Sequence, residues 1–415
     1  MNMKMISILV KNPKIRALIK LAYKRIRYML SKKIKYTGDI IKLTPNDEYE
    51  YFFGYYDKSP WDKSGRYVLC LRVPCSYKEV APTQDGQIVL IDTSDNSFEV
   101  IESTKTWNVQ QGCMLQWLGP DYTDNIIYND FINNHFCSVI LNVHSREKRV
   151  LNFPVYSVDA NGKFALSLDF ARLHSFRPGY GYSNTIDLSK EQLLPDGACI
   201  YYVDLISGNY YSILNYHDIY NFEHRECMKG AVHKVNHIMI SPNGTKFMFL
   251  HRWIKKNRKW TRLLTCNIDG TELFNLSDEN MVSHCFWKND DYIFAFERKK
   301  EGDGYYLMRD KSKEYLKFWD INQDGHPSYS HSGYYVVFDS YPDNSRLSYL
   351  KIADTEDKIG TSIKCLAQVF SPFRYSGDVR CDLHPRWSMD DRKICFDAVF
   401  EGKRALYYVE SGIEN

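Results

Sequence analysis

The stretch HIMISPNGTKFMFLHR (237–252) decides the fold. It reads as a short apolar strand, a tight turn carrying Ser, Pro, Asn and Gly, and a second, strongly apolar strand. The unit recurs as SPWDKSGRYVLCLR (59–72), LQWLGPDYTDNIIYND (115–130), YSVDANGKFALSLDF (156–170), HCFWKNDDYIFAFER (284–298), HPSYSHSGYYVVFDS (326–340) and HPRWSMDDRKICFDA (384–398), which makes seven copies. Each of the first six is followed by another strand-rich segment, such as GQIVLIDTSDNSFEVIE (86–102) or RLLTCNIDGTELFNL (262–276). The seventh has only ALYYVE (405–410) after it and is one strand short of a four-stranded unit. GDIIKL (38–43) precedes the first copy and can supply that strand, so that the two ends of the chain pair and the ring closes without exposed sheet edges. The expected fold is all-β, a seven-bladed β-propeller over residues 37–415, preceded by a basic amphipathic helix within residues 1–36. A pair of β-sandwiches is the structural alternative, but it does not account for seven equal units with one strand missing.

Composition agrees with strands: aromatic residues make up 15% of the 415, with 32 Tyr. A formal charge of +3 argues against a uniformly basic nucleic-acid binder, and no nucleic-acid partner is expected. The total hides an uneven split. Residues 1–36 hold eleven Lys or Arg and no acid, leaving 43 basic against 51 acidic side chains in the remainder. After Pro13, the residues Ile15, Leu18, Ile19, Ala22, Ile26 and Met29 recur at helical spacing, with Lys14, Arg16, Lys20, Lys24, Arg25 and Arg27 between them. Such a helix suits an anionic membrane surface; a helix packed on its own domain with a solvated basic face is the alternative. The apolar run Met5 to Val10 is too short for a signal-peptide core, and no stretch reaches the length of a membrane span. Eleven cysteines without a CxxC pair, most of them in apolar runs, point to a reducing compartment. The expected location is cytoplasmic, peripheral at the inner face of the membrane.

Aligned on their turns, copies four to seven place His237, His284, His326 and His384 at one repeat position, ahead of Ser241, Lys288, Ser330 and Ser388. The innermost strand of every blade lines the channel, so four imidazoles converge near one mouth. The second strand runs back antiparallel and returns Arg252, Arg298, Asp339 and Asp397, among others, to that mouth. Asp382 stands beside His384, with Arg380 two residues earlier. Imidazole and carboxylate together can hold manganese, zinc or iron, and Arg can hold an anionic substrate. A hydrogen-bonded His/Asp belt that locks adjacent blades is the competing reading. Two insertions, ARLHSFRPGYGYSN (171–184) and YHDIYNFEHREC (216–227), exceed what a blade needs and read as site-building or edge-covering loops.

On these repeats, above all HPSYSHSGYYVVFDS and LHPRWSMDDRKICFD, the chain resembles the TolB-like propellers, and the placement of its histidines resembles the oligogalacturonate lyase family. That resemblance implies a seven-bladed propeller with a manganese ion held by His and Gln from neighbouring blades. It makes His284 and His384 ligands and puts Asp382 where the family has a second His; Val379 and Arg380 stand near the place of the family's Gln. The lyase reading assigns His284, His326, His384 and Asp382 to the metal, His237 or His174 to the base, and Arg252 and Arg298 to the carboxylate of a uronic-acid-containing glycan that undergoes β-elimination. Two other classes stay open. One is a membrane-associated glycosyltransferase-like or processing protein of capsule or lipopolysaccharide biosynthesis acting on a lipid-linked glycan; the other is a non-catalytic propeller that binds a glycan or protein.

Overall fold

The computed structural model describes residues 13–31 and 33–413. Seven antiparallel sheets follow one another in chain order, six of four strands and one of five. Their inner strands touch in sequence, Val232–Ile240 against Val282–Asn289 and that strand against Ser328–Tyr329, and the last blade returns to the first where Ala405–Glu410 meets Glu50–Phe52. The molecule is a seven-bladed β-propeller.

The repeated turn explains the repeated sequence. In SPNG the backbone N–H of Ser241 donates to the carbonyl of Lys246, and the Lys246 N–H returns to Ser241 Oγ at 3.1 Å. The same exchange joins Asp62 to Tyr67, Ser330 to Tyr335 and Ser388 to Lys393, with side-chain distances of 2.7, 3.1 and 2.9 Å. A short polar side chain is therefore required where the inner strand ends. Three residues further on, Gly65, Gly162, Gly244 and Gly333 sit at φ between 66° and 76°, the left-handed region open to glycine at no steric cost. Asp391 holds that place in blade seven at φ 60°; its carboxylate also takes the N–H groups of His331 (2.7 Å) and Ser332 (2.8 Å), tying blade six to blade seven.

Tryptophan locks neighbouring blades by the same register. Just before the turn, the indoles of Trp117, Trp287 and Trp387 donate to the carbonyls of Pro60, Met239 and Ser328, each in the preceding blade, at 2.9, 3.0 and 2.9 Å. Between blades the core is aliphatic and aromatic, and Cys70, Cys137, Cys199, Cys266 and Cys395 are buried in it as free thiols.

Ile41–Lys42 pairs antiparallel with Ala405–Glu410 and completes blade seven, as expected. Beside it lies an unanticipated strand: Tyr36–Thr37 adds a fifth member to blade six, against Lys364–Phe370. The helix before it spans Pro13–Met29. Its Tyr28 stacks on Phe370 and meets Phe373 edge-on, both with ring centroids 5.5 Å apart, while Leu18, Ile26 and Met29 on its apolar stripe are 66, 56 and 74% exposed. Residues 1–12 of the basic leader lie outside the described residues, and no described helix is long and apolar enough to cross a membrane.

The insertions settle differently. Asp169 caps the short helix Phe170–Phe176 through the Arg172 N–H (3.0 Å), and the RPGYGY turn folds back over it. The second insertion is pinned down by a buried relay: Arg262 Nε donates to His251 Nδ1 (3.2 Å), His251 Nε2 to His233 Nδ1 (2.9 Å), and His233 Nε2 to the Met228 carbonyl (3.0 Å). With every ring nitrogen matched, this segment reads as structural.

Candidate functional site

One ionic knot sets the floor of the site. Asp397 receives Arg386 Nη1 at 3.1 Å and Arg404 Nη2 at 2.7 Å, with all three side chains at most 1% exposed. Arg386 also donates to the carbonyls of Gly54 and Tyr55, so the segment Phe53–Tyr56 is clamped against blade seven and its two tyrosines are driven into the channel.

Around Tyr55 and Tyr56 stand the four histidines. Ring centroids are 5.8 Å apart for His237 and His284, 4.0 Å for His284 and His326, and 4.3 Å for His326 and His384. The repeat position thus gathers its imidazoles as the sequence implied. His237 and His384 adopt φ 63° and 46°, and ladder irregularities at 236–239 and 282–285 displace His237 and His284 from regular strand register. Left-handed backbone at a non-glycine costs about 1–3 kcal/mol and persists where surroundings impose it, which is characteristic of functional positions.

Each ring is oriented from behind. His326 Nδ1 donates to Asp339 (2.9 and 3.0 Å), whose carboxylate also takes the backbone N–H of His326 (2.7 Å) and of His384 (3.1 Å). His384 Nδ1 donates to the Gly54 carbonyl at 2.9 Å, and His284 Nδ1 to Asp324 at 2.9 Å. Tyr56 donates to the Cys285 carbonyl (2.8 Å), which leaves His237 Nε2 to donate to the Tyr56 oxygen (2.7 Å) and His237 Nδ1 to accept from Tyr55 (3.2 Å). Burial, then the neighbouring His284, holds His237 well below the usual imidazole range, and burial holds His384 there too; His284 is pushed down to about 4 by burial and by His326. Burial also opposes a charge on His326, but Asp339 outweighs it and raises that imidazole.

With Nδ1 committed, Nε2 of His384, and of His326 in its neutral form, carries a lone pair. Both atoms are buried and have no hydrogen-bond partner among the described residues. His326, Asp382 and His384 offer ligand atoms that all lie within 4.8 Å of one another, with His284 alongside. Two orphaned imidazole nitrogens facing a carboxylate, each ring fixed through its other nitrogen, fit a divalent cation. Arg380 Nε grips Asp382 at 2.7 and 2.8 Å, so that carboxylate is shared between the Arg and the ligand position.

Beyond the imidazoles the mouth is cationic. Arg252 is 5% exposed and its Nε has no partner among the described residues; burial and the nearby Arg177 hold its pKa below the usual range. Lys259, next to it, is held down to about 8, chiefly by Arg252 and then by burial. Arg177 lies over Tyr180 (4.2 Å) and Arg380 over Tyr341 (4.7 Å), which makes a rim of guanidinium groups backed by aromatic rings.

Two expected members stand elsewhere. His174 lines a side cavity with its Nε2 3.6 Å from Glu79, because the helix Phe170–Phe176 carries it away from the channel. Arg298 is half exposed and forks onto Asp303 at 2.7 and 2.9 Å, one position past the buried Glu297. Tyr55, Tyr56, Asp324, Arg177 and Tyr341 were missed. FFGYYD (52–57) lies outside the repeat unit, and only its paired tyrosines behind a glycine hinted at a role.

The fold is a seven-bladed β-propeller with a histidine-lined mouth, and it is similar to solved oligogalacturonate lyases. An oligogalacturonate lyase in complex with manganese aligns at 16% identity and a TM-score of 0.65, covering 91% of this chain and 97% of that one. The oligogalacturonate lyase of Vibrio parahaemolyticus aligns at 13% identity and a TM-score of 0.60 over the same shares. The β-propeller domain of the Trilobed protease from Pyrococcus furiosus, with an open velcro topology, follows at 12% and 0.51, covering 90% of this chain and 96% of that one. The sequence matches no protein-family model and no curated protein.

Proposed function

We propose that this propeller is a carbohydrate-active protein that binds a uronic-acid-containing glycan at the channel mouth and cleaves it by metal-assisted β-elimination. The observation that carries this reading is the pair of buried Nε2 atoms of His326 and His384 beside Asp382, with Arg252 nearby, its Nε and both Nε2 atoms unpartnered among the described residues. His326, His384 and Asp382, with His284 adjacent, would hold the cation, and manganese suits that donor set. When bound, it supplies a Lewis acid that neutralises a carboxylate.

The chain's own groups supply the rest. Arg252 and Arg177 present planar donors to the substrate carboxylate. Neutral His237 accepts the Tyr55 hydroxyl proton, so the Tyr55 oxygen can take the proton from the carbon next to that carboxylate while its own proton passes to His237 Nδ1. The C–O bond to the neighbouring sugar breaks as the C=C bond forms, and the leaving oxygen takes a proton from solvent. The test is metal content together with release of an unsaturated product absorbing in the ultraviolet, for the parent and His384→Ala. Equal metal in both, or no product from any uronate glycan, overturns the reading.

A second reading rests on the helix. Leu18, Ile26 and Met29 are exposed beside Lys24, Arg25 and Arg27, which suits the surface of an anionic membrane and hence a lipid-linked glycan in capsule or lipopolysaccharide assembly. Vesicles containing anionic lipid should pull down the parent and not the Leu18→Glu, Ile26→Glu double variant. These substitutions spare the Tyr36–Thr37 strand that a deletion of residues 1–36 would remove in part. Equal sedimentation of both proteins would refute membrane docking by the helix.

A further inference from the structure

The first insertion builds a second concavity that the mouth's chemistry leaves unused. A cavity of about 260 Å3 is lined by Glu79, Trp107, Asn108, His174, Pro178 and Asp378, with smaller residues between them. Two of its walls are the backs of the mouth. Pro178 follows Arg177, and Asp378 and Val379 lead into Arg380. Gln110 ties these walls together: its side-chain amide donates to the carbonyls of Asp378 (3.1 Å) and Arg380 (2.9 Å), and its backbone N–H to Gly179 (3.3 Å). A ligand held by Arg177 and Arg380 therefore lies one chain thickness from this cavity.

Its chemistry is the reverse of the mouth's. Glu79 and Asp378 line it, and among the described residues no Lys or Arg does. Burial lowers the His174 pKa, against the pull of Glu79 3.6 Å away. Asn108 is 2% exposed; its Oδ1 accepts from the backbone of Gln110 (3.1 Å) and Gln111 (2.7 Å), which fixes the amide. The Nδ2 of the same amide is buried without a partner among the described residues. A lining that joins an amide fixed in place to the carboxylates of Glu79 and Asp378 suits hydroxyl groups, which accept and donate at once. Val80, Val109, Pro178 and Val379 offer the apolar surface that the C–H face of a sugar covers. The volume falls below the usual range of about 300–1,000 Å3 for small-molecule pockets, which restricts the occupant to a single ring.

We propose that this cavity is a subsite for one neutral, hydroxyl-rich sugar residue. Glu79 and Asp378 repel a second uronate, so the ligand is a heteroglycan that carries a neutral residue next to an acidic one. The acidic half of that statement rests on the uronate reading of the mouth; the neutral half stands on the cavity alone.

Two probes separate the halves in titrations of the full chain followed by NMR: methyl galactoside for the cavity and methyl galacturonide for the mouth. Methyl galactoside is expected to bind the parent, to bind about tenfold more weakly to Glu79→Gln through loss of a charge-assisted hydrogen bond, and not to bind Val80→Trp, which fills the cavity. Methyl galacturonide should bind all three alike and lose affinity in Arg252→Ala. Galactoside binding that responds to both cavity variants, together with no galacturonide binding, upholds the subsite and removes the mouth reading. Should the galactoside fail to bind the parent, or bind parent and Glu79→Gln equally, the subsite is refuted whatever the galacturonide does. Glu79 is exposed and holds no part of the core, so its variant stays interpretable if Val80→Trp does not fold.

Discussion

Asp339→Asn tests the site at the atom on which two of its histidines depend. The carboxylate, 2% exposed, accepts the Nδ1–H and backbone N–H of His326 and the backbone N–H of His384. An amide keeps one acceptor and turns two N–H bonds towards groups that are themselves donors. Relief comes if His326 moves its proton to Nε2, the nitrogen that faces Asp382 and His384. The substitution therefore removes a ligand lone pair without touching a ligand. Loss of a partner behind a metal-bound His typically costs 10–100-fold in affinity, or about 1.4–2.7 kcal/mol. Leaving one buried donor unsatisfied adds a stability loss of about 1–3 kcal/mol. Calorimetric titration with Mn2+ measures the first quantity and urea denaturation of the metal-free protein the second. In the parent, Asp339 sustains the raised pKa of His326, so the His326 ring resonances should titrate at lower pH in the variant. Parent-like Mn2+ affinity, or an unmoved His326 titration, would refute the argument that Asp339 sets the tautomer.

Further outcomes follow from other contacts. Lys259 sits near pH 8 because of Arg252, so it is charged below that pH and neutral above it; affinity for methyl galacturonide should fall as pH rises through about 8, and Lys259→Met should flatten that step in a pH series of titrations. Trp387→Phe deletes the indole bond to the Ser328 carbonyl (2.9 Å) and should cost about 1–3 kcal/mol by chemical denaturation, with no change in ligand affinity. Arg404→Met leaves Asp397 with Arg386 alone in a fully buried setting and should cost about 3–5 kcal/mol; a near-neutral result would mean that packing, and not charge, holds Phe53–Tyr56 in the channel.

The blades were legible because a turn such as SPNG makes local demands: a side-chain acceptor at one place, a left-handed residue three places on, and β-branched or aromatic residues on either side. The histidine ring was legible for a related reason, since residues at one repeat position share one radius from the axis. Repeat logic also set its limits. It put Arg298 at the rim, but side chains alternate along a strand, and one step turned Arg298 to solvent while Glu297 points inward and is buried. His174 was judged by type within an insertion whose path no period governs, and a seven-residue helix carried it to the side cavity. Tyr55 and Tyr56 escaped notice because their place comes from long-range contacts: the Asp397 knot reaches them across more than 300 residues of chain.

The pairing of Ile41 with Tyr408 has a kinetic side as well. The strand that completes the last blade is synthesised some 360 residues before its partner, and the strand capping blade six waits nearly as long. In an unfolded chain, joining points that far apart costs about 5 kcal/mol in loop entropy, but each finished blade shortens the free path that remains. Closure is therefore the least local pairing in the fold. The mouth, built from blades four to seven and from Tyr55 and Tyr56 beside the closing seam, draws its side chains from both sides of that seam.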